Sequence, residues 1–324
     1  MSKTLNEVVH KFSSLRLLVV GDIMLDRYVW GDVERISPEA PVPVLQVKME
    51  DQRLGGAANV ARNLCDLGAK VVIAGVVGRD QAGDSIRQML VAHGMQAELI
   101  LDEERPTTVK TRVIAQGQQV VRVDRESKSS LRRAVKSALK TALNSIDGLI
   151  DGIVVSDYAK GVVNQEIVEL LSNMARSREI ELVVDPKPCN APCYIGAGTI
   201  TPNEQEALAM IGSAVAVEPE VAAKKLNEQL NVPSVLITRG PRGMFAWNVD
   251  EGSREICSKA MEVYDVTGAG DTVAAVLSAA LASGANLFDA AELANLAAGL
   301  VVAKIGTASV SSGELLDALD GSGR

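Results

Sequence analysis

Leu15-Arg-Leu-Leu-Val-Val-Gly-Asp22 is a short apolar run with no polar alternation, closing on glycine and aspartate. A strand covered on both faces has that character, and covered strands belong to parallel sheets. Val71 to Val77 repeats it, with the helical stretch Ala57–Leu67 between the two. Gly152–Ser156, Glu181–Asp185, Thr199–Thr201 and Ser234–Thr238 are further short apolar runs ending in a polar residue. Stretches of helical length separate them at Gln165–Arg176, Glu204–Ile211 and Glu218–Leu230. Such alternation predicts an α/β fold with a mostly parallel central sheet. Ligands then sit beyond the carboxyl ends of the strands, where Asp22, Asp157, Asp185 and Asn203 fall.

Two stretches break the alternation. Residues 26–54 hold Ser37-Pro-Glu-Ala-Pro-Val-Pro43 and the alternating run Val44-Leu-Gln-Val-Lys48. Residues 107–124 hold Thr-Val-Lys-Thr-Arg-Val and Val-Val-Arg-Val-Asp. Both predict strands of a small separate sheet, a lid at the ligand edge whose strand edges are expected to pair in a homodimer. The whole of 1–324 reads as one domain with this lid inserted, and the final Gly-Ser-Gly-Arg324 as a loose tail.

Composition narrows the chemistry. Hydrophobic residues make up 47% and aromatics 3%, so the core is built from Ala, Val, Leu and Ile. A net charge of −8 argues against broad nucleic-acid binding, which needs a cationic face. With only His10 and His93, a His-rich metal site is excluded and any general base is a carboxylate. Cys65, Cys189, Cys193 and Cys257 lack paired zinc spacing and read as reduced thiols. No secretory leader is evident, and no apolar run reaches the roughly 18 residues that span a membrane. A cytoplasmic protein is expected, without membrane or nucleic-acid partners.

Asp265-Val-Thr-Gly-Ala-Gly-Asp271 precedes an Ala- and Leu-rich helical stretch, Val273–Ala282. Gly268, Ala269 and Gly270 leave backbone N–H groups open at a helix start, where the dipole favours an anion. Such a site stabilises phosphate charge in a transition state. Asp271 beside it can accept the proton of an attacking hydroxyl. Asp265 and Thr267 can order the loop. Taken alone, the segment reads equally as a glycine-rich helix start with a capping aspartate. It is neither a Walker A loop nor a dinucleotide fingerprint.

Three motifs in order resemble the ribokinase-type (PfkB) carbohydrate kinases, over about Leu15 to Leu319. They are Gly55-Gly-Ala-Ala-Asn-Val-Ala61, Asn203-Glu204-Gln205-Glu206 and the 265–271 segment. Gly21-Asp-Ile-Met-Leu-Asp-Arg-Tyr28, Arg35-Ile-Ser-Pro-Glu-Ala-Pro-Val-Pro43 and Ser156-Asp-Tyr-Ala-Lys-Gly161 resemble the D-glycero-β-D-manno-heptose-7-phosphate kinase branch. The resemblance implies a ribokinase-like three-layer fold and ATP-dependent phosphorylation of an anomeric hydroxyl, in the ADP-heptose route to lipopolysaccharide. Kinases of this branch are often fused to an adenylyltransferase. No His-x-Gly-His motif occurs here, so no nucleotidyltransferase domain is expected, and the chain reads as a stand-alone kinase or a kinase half. One departure is Pro188-Cys189 after Asp185-Pro-Lys187, where the family pattern leads to glycine.

The resemblance also implies roles. Asp22 and Asn59 contact sugar hydroxyls, and Gly55 and Gly56 act as the lid hinge. Asn203 and Glu206 hold Mg²⁺ indirectly, through water and phosphate. Thr238, Gly240 and Gly243 form the nucleotide loop, and adenine lies between it and the helix near Asn295. Lys187 is expected to reach ATP phosphates from its place beside Asp185. For the phosphate of the sugar, the candidates are Arg27, Arg35, Lys110, Arg112, Arg122 and Lys160, led by Arg112 and Lys160, although each also suits a solvated charged face. Whether a monovalent cation supports the 265–271 loop stays open. The competing readings are a kinase for another sugar or sugar phosphate, a non-catalytic sugar-binding regulator, and a dinucleotide-binding oxidoreductase. The regulator is disfavoured because a binder needs neither a base nor magnesium, the oxidoreductase because its fingerprint is missing.

Overall fold

The residues of the opening strand divide between two cores. In the computed structural model, Leu17 and Val19 pack on one side of a sheet while Leu18 and Val20 pack on the other. The structure describes residues 4–146, 148, 150–258, 263–304 and 308–321, so the closing residues 322–324 of the expected tail lie outside it.

In chain order the strands are β1 (Arg16–Gly21), β2 (Ile23–Ile36), β3 (Pro43–Gly56), β4 (Lys70–Gly78), β5 (Gln96–Asp102), β6 (Thr108–Ala115), β7 (Gln118–Arg125), β8 (Gly152–Ser156), β9 (Glu181–Asp185), β10 (Thr199–Ile200), β11 (Ser234–Thr238), β12 (Met244–Asn248) and β13 (Gly252–Ile256). Nine of them form one sheet in the order β13-β12-β11-β10-β9-β8-β1-β4-β5. It is parallel from β5 to β11, and β12 and β13 add an antiparallel edge. The parallel strands other than β5 are those the alternation predicts, within a residue or two at their ends. The hairpin β12–β13 and the edge strand β5 are additions to that reading.

Helices Ala57–Asp66, Ala269–Ala282 and Leu287–Val302 cover one face, and Arg133–Asn144, Gln165–Arg178 and Pro219–Leu230 cover the other. The result is the expected three-layer arrangement, and it explains why the strands show no polar alternation.

The second sheet has four strands in the order β3-β2-β6-β7. β2 and β3 form a hairpin whose root pairs Ile23 with Gly56 and whose tip pairs Ile36 with Pro43. Residues 26–54 and 107–124 thus do form a separate sheet. Its strands start a little earlier than predicted, because β2 follows β1 after Asp22 alone. No helix among the described residues is long and apolar enough to cross a membrane.

Candidate active site

Strand ends and helix starts converge where β1, β8 and β9 finish. Gly268 closes the loop before helix Ala269–Ala282 in a left-handed conformation (φ 84°) that favours glycine. Asp265 orders that loop by accepting from the Thr267 N–H at 2.9 Å. Thr272 Oγ1 donates to Asn63 Oδ1 at 2.9 Å, fastening the helix to Ala57–Asp66. A Cβ on Gly270 would meet nothing within 4 Å, so the helix start is open. The Ala269 N–H donates to the Val266 carbonyl at 3.2 Å, while first-turn N–H groups have no partner within a helix, which leaves those of Gly270 and Asp271 available to an anion.

Asp271 lies in that first turn and is buried. Its Oδ2 accepts from Asn59 Nδ2 at 2.7 Å and its Oδ1 from the Tyr158 hydroxyl at 2.7 Å. Burial pushes its pKa up to about 6, against the two hydrogen bonds, which favour the carboxylate. Asn59 is fully buried, and its Oδ1 has no hydrogen-bond partner among the described residues. A buried acceptor left that way calls for a donor, such as a sugar hydroxyl. Gly56 holds the turn into the Asn59 helix at φ 57°, where a Cβ would stand 2.4 Å from the Asp22 carbonyl oxygen. Gly55 pairs with Met24 at the root of β3.

Asp22, for which the resemblance implies a sugar contact, and Asp157 both accept from donors of their own chain. The Asp22 carboxylate accepts from the backbone N–H groups of Tyr158 and Lys160 at 2.9 Å and of Val162 at 3.1 Å. Burial raises its pKa to about 6 against those three donors. Asp157 accepts from Ala159 N and Asn190 Nδ2, both at 2.7 Å, and from the Tyr194 hydroxyl. Together the two carboxylates set the shape of loop 157–162. The unexpected Pro188-Cys189 opens a short 3₁₀ turn, Pro188–Tyr194, and that turn supplies Asn190 and Tyr194 to Asp157.

Strand alternation sorts the cations of the small sheet. Lys110, Arg112 and Arg122 share one face with Asp26 and Tyr28. Arg112 pairs with Asp26 and lies over the Tyr28 ring, 5.3 Å from its centroid. Lys110 lies over the Tyr158 ring at 5.3 Å and makes no ion pair among the described residues; burial lowers its pKa. Arg122 is tied to Asp124. Arg27 falls on the opposite face, one residue on from Asp26, so the structure does not bring it to this group. Arg35 is exposed near the hairpin tip. Lys160 is paired with Glu126 at 2.7 Å, which neutralises it.

A second lysine, Lys187, also approaches Tyr158, with Nζ 5.6 Å from the ring centroid, and is paired to Glu206. Asn203 and Glu206 form a reciprocal capping box: Asn203 Oδ1 accepts from Glu206 N at 2.9 Å, and Glu206 Oε2 from Asn203 N at 3.0 Å. Burial pushes the Asp185 pKa up to about 8, with Lys187 opposing. Glu204 pairs with Arg239 and Arg242 and so ties this helix to the turn at 238–243, while Gln205 is exposed. Thr238, Gly240, Gly243 and Asn295 line one apolar cleft of ≈ 210 Å³, together with Ala269 and Gly270. Asn295 Nδ2 donates to the Cys257 carbonyl at 2.8 Å, an anchor for the cleft wall.

The sequence pattern of pfkB family carbohydrate kinases matches residues 14–313. The chain belongs to that family. Its activity is accordingly that of a phosphotransferase acting on a sugar hydroxyl. The chain is 46% identical over 310 residues to the bifunctional protein HldE of Desulfatibacillum aliphaticivorans, covering 95% of this chain and 63% of that protein. It is 45% identical over 319 residues to the bifunctional protein HldE of Caulobacter vibrioides, covering 97% and 65%. The chain thus spans under two thirds of these curated relatives. Among solved structures, phosphofructokinase-2 from Escherichia coli in complex with substrates and products aligns with a TM-score of 0.77, 18% identity and coverage of 96% and 99%. Ribokinase from Giardia lamblia aligns at 0.74 and 20%, covering 95% and 99%. At these identities the likeness shows the fold.

Within this kinase, sequence reading missed Tyr158 and Asp26. Both stand inside the quoted motifs, yet neither carries a spacing signal. Tyr158 is recognisable only once the 157–162 loop brings its hydroxyl to Asp271.

Proposed function

We propose that this kinase transfers the γ-phosphoryl group of ATP to the anomeric hydroxyl of D-glycero-β-D-manno-heptose 7-phosphate, giving the 1,7-bisphosphate for ADP-heptose and lipopolysaccharide synthesis. The carrying observation is Asp271: a buried carboxylate at an open helix start, next to an Asn59 Oδ1 with no partner among the described residues and bonded to Tyr158, whose ring Lys110 and Lys187 approach. The residues quoted for the heptose branch, and the likeness to HldE proteins, support the choice of sugar.

The acceptor hydroxyl sits against Asp271, and Asn59 Oδ1 accepts from a sugar hydroxyl. Asp271 takes the proton as the sugar oxygen forms its bond to phosphorus and the bond to ADP breaks. First-turn N–H groups of helix Ala269–Ala282 stabilise charge on the transferring group. Lys110, a half-buried cation that makes no ion pair among the described residues, suits the phosphate of the sugar, and Arg112 stands two residues further along the same face. Lys187 serves the phosphates of ATP, and the apolar cleft below Thr238 takes the base.

Among the described residues no cluster of three His, Cys, Asp or Glu encloses an ion. That suits Mg²⁺, which keeps waters and borrows substrate phosphates. Glu206, Asn203 and the Asp185 carboxylate are the groups to hold it, and it would supply charge neutralisation between the phosphates. The small sheet acts as the lid, hinged at Gly55 and Gly56. Its face away from the site carries exposed Val121 and Val123 beside Val29 and Val113, an apolar patch that suits pairing of two lids in a homodimer. Use of ATP fits a cytoplasmic enzyme.

A coupled ADP-release assay across a sugar-phosphate panel tests the reading. Turnover is expected with heptose 7-phosphate. Turnover with fructose 6-phosphate alone would transfer the proposal to another acceptor, and ADP release without any acceptor would end it.

A further inference from the structure

Tyr158 stands at the centre of the site without a role in the chemistry just described. Its hydroxyl donates to Asp271 Oδ1 at 2.7 Å, on the oxygen that Asn59 leaves free. Its ring is approached by two cations from different parts of the molecule. Lys110 comes from β6 of the lid, at 5.3 Å, and Lys187 follows β9 on the phosphate side, at 5.6 Å. Its backbone is fixed as well: the Tyr158 N–H donates to Asp22, and the next residue, Ala159, is held at φ 55° by a bond to Asp157. A tyrosine on a loop this constrained has little freedom to leave the carboxylate.

We propose that Tyr158 is the positioning residue of Asp271: its hydroxyl holds the carboxylate that receives the acceptor's proton, and its ring relays to it the placement of Lys110 and Lys187. The physical basis is electrostatic. A phenol donates more strongly when cations lie against its ring, because they favour negative charge on its oxygen. Lys110 reaches the ring from the small sheet, and phosphates arriving near Lys187 change the charge around the same ring. Asp271 thus senses both substrates through one hydroxyl. The other charged groups bearing on this pair are Asp26 from the lid and Asp185 from β9, both of which oppose ionisation. Burial and the Asp271 charge together hold the Tyr158 phenol protonated, far above its ordinary range, so it acts as a donor and not as a base.

This inference rests on Asp271 being the base, and the test separates the two. Difference infrared spectroscopy of the unliganded chain, with Asp271→Asn as the subtraction, follows the Asp271 carboxyl band with pH. Tyr158→Phe is expected to raise its midpoint by about one pH unit, a tenfold change in proton affinity. Site-specific 3-fluorotyrosine at 158, similar in size and a stronger donor, is expected to lower it. With heptose 7-phosphate and MgATP, the acid limb of kcat should move the same way in each variant, with KM for ATP changing less than about twofold, whereas a merely structural role would leave that limb in place. A midpoint unmoved in both variants overturns the proposal; if Tyr158→Phe does not fold, an unmoved midpoint in the fluorotyrosine protein overturns it alone. Full turnover by Asp271→Asn would instead remove the base assignment.

Discussion

Asp271 combines two demands that oppose each other: burial, which favours the protonated acid, and proton acceptance, which needs the carboxylate. Asn59 and Tyr158 tip that balance, and the pKa of about 6 leaves the group mostly ionised at neutral pH. The acid limb of kcat is therefore expected near pH 6, read from a pH–rate profile. Asp271→Asn should lower kcat by about 10²–10⁴-fold, the range of general-base contributions, while calorimetry finds sugar-phosphate binding retained. Folding stability follows from the same burial. Asp22 and Asp271 at about 6, and Asp185 at about 8, all titrate above the unfolded aspartate value of 3.8. The folded state holds the proton more tightly, so this contribution is full below pH 3.8 and is lost as pH rises through 6 to 8. Asp185→Asn should raise the melting temperature by several degrees at pH 8 and by less at pH 5. A gain that shrinks with rising pH would contradict the sign.

At the scale of elements, the site depends on junctions. Gly56 turns β3 into the helix that carries Asn59, with positive φ and no room for a Cβ. Gly56→Ala is expected to destabilise by on the order of 1–3 kcal/mol and to lower kcat by displacing Asn59, measured by denaturant unfolding and turnover. Glu204 joins the capping-box helix to the nucleotide turn through Arg239 and Arg242. Glu204→Gln should raise KM for ATP several-fold and leave KM for the sugar phosphate nearly unchanged. An equal rise in both would show that the turn does not act on the nucleotide alone.

Across the whole molecule, the two sheets divide the labour: the large one sets the strand ends, and the small one brings Lys110, Arg112 and Asp26 over them. The segment Arg35–Pro43, whose residues resemble the heptose branch, lies at the hairpin tip, while Met24 and Gly55 lie at the root beside the site. Thirteen residues of strand separate tip from root, roughly 40 Å at strand rise. A signature so placed fits the proposed pairing of lids better than contact with the sugar of its own chain. Under that proposal Val121→Asp with Val123→Asp, on the outer lid face, should leave a monomer in sedimentation and reduce turnover. A double variant that remains dimeric would show that the lids do not pair through this face.

Much of this was legible in the chain because it is local. Apolar strands closing on polar residues, helical lengths between them and glycines before Asp271 are patterns of neighbouring residues, and burial on both faces dictates them. The place of Asp271 in the first turn of a helix and the capping pair Asn203/Glu206 are of that kind. Contacts between distant segments are not. Asp22, read as a sugar contact, is occupied by the backbone of loop 157–162, because a buried carboxylate takes the nearest donors and those lie about 140 residues away. Arg27 was indistinguishable from Lys110 as a cation until strand register set them on opposite faces. Tyr158 acquires its meaning only where β8, the lid and the Asp271 helix meet. Neighbouring residues carry the layers, the strand ends and the proposal of Asp271 as base; only the tertiary structure decides which side chains face Asp271, since facing depends on register and loop shape rather than on spacing along the chain.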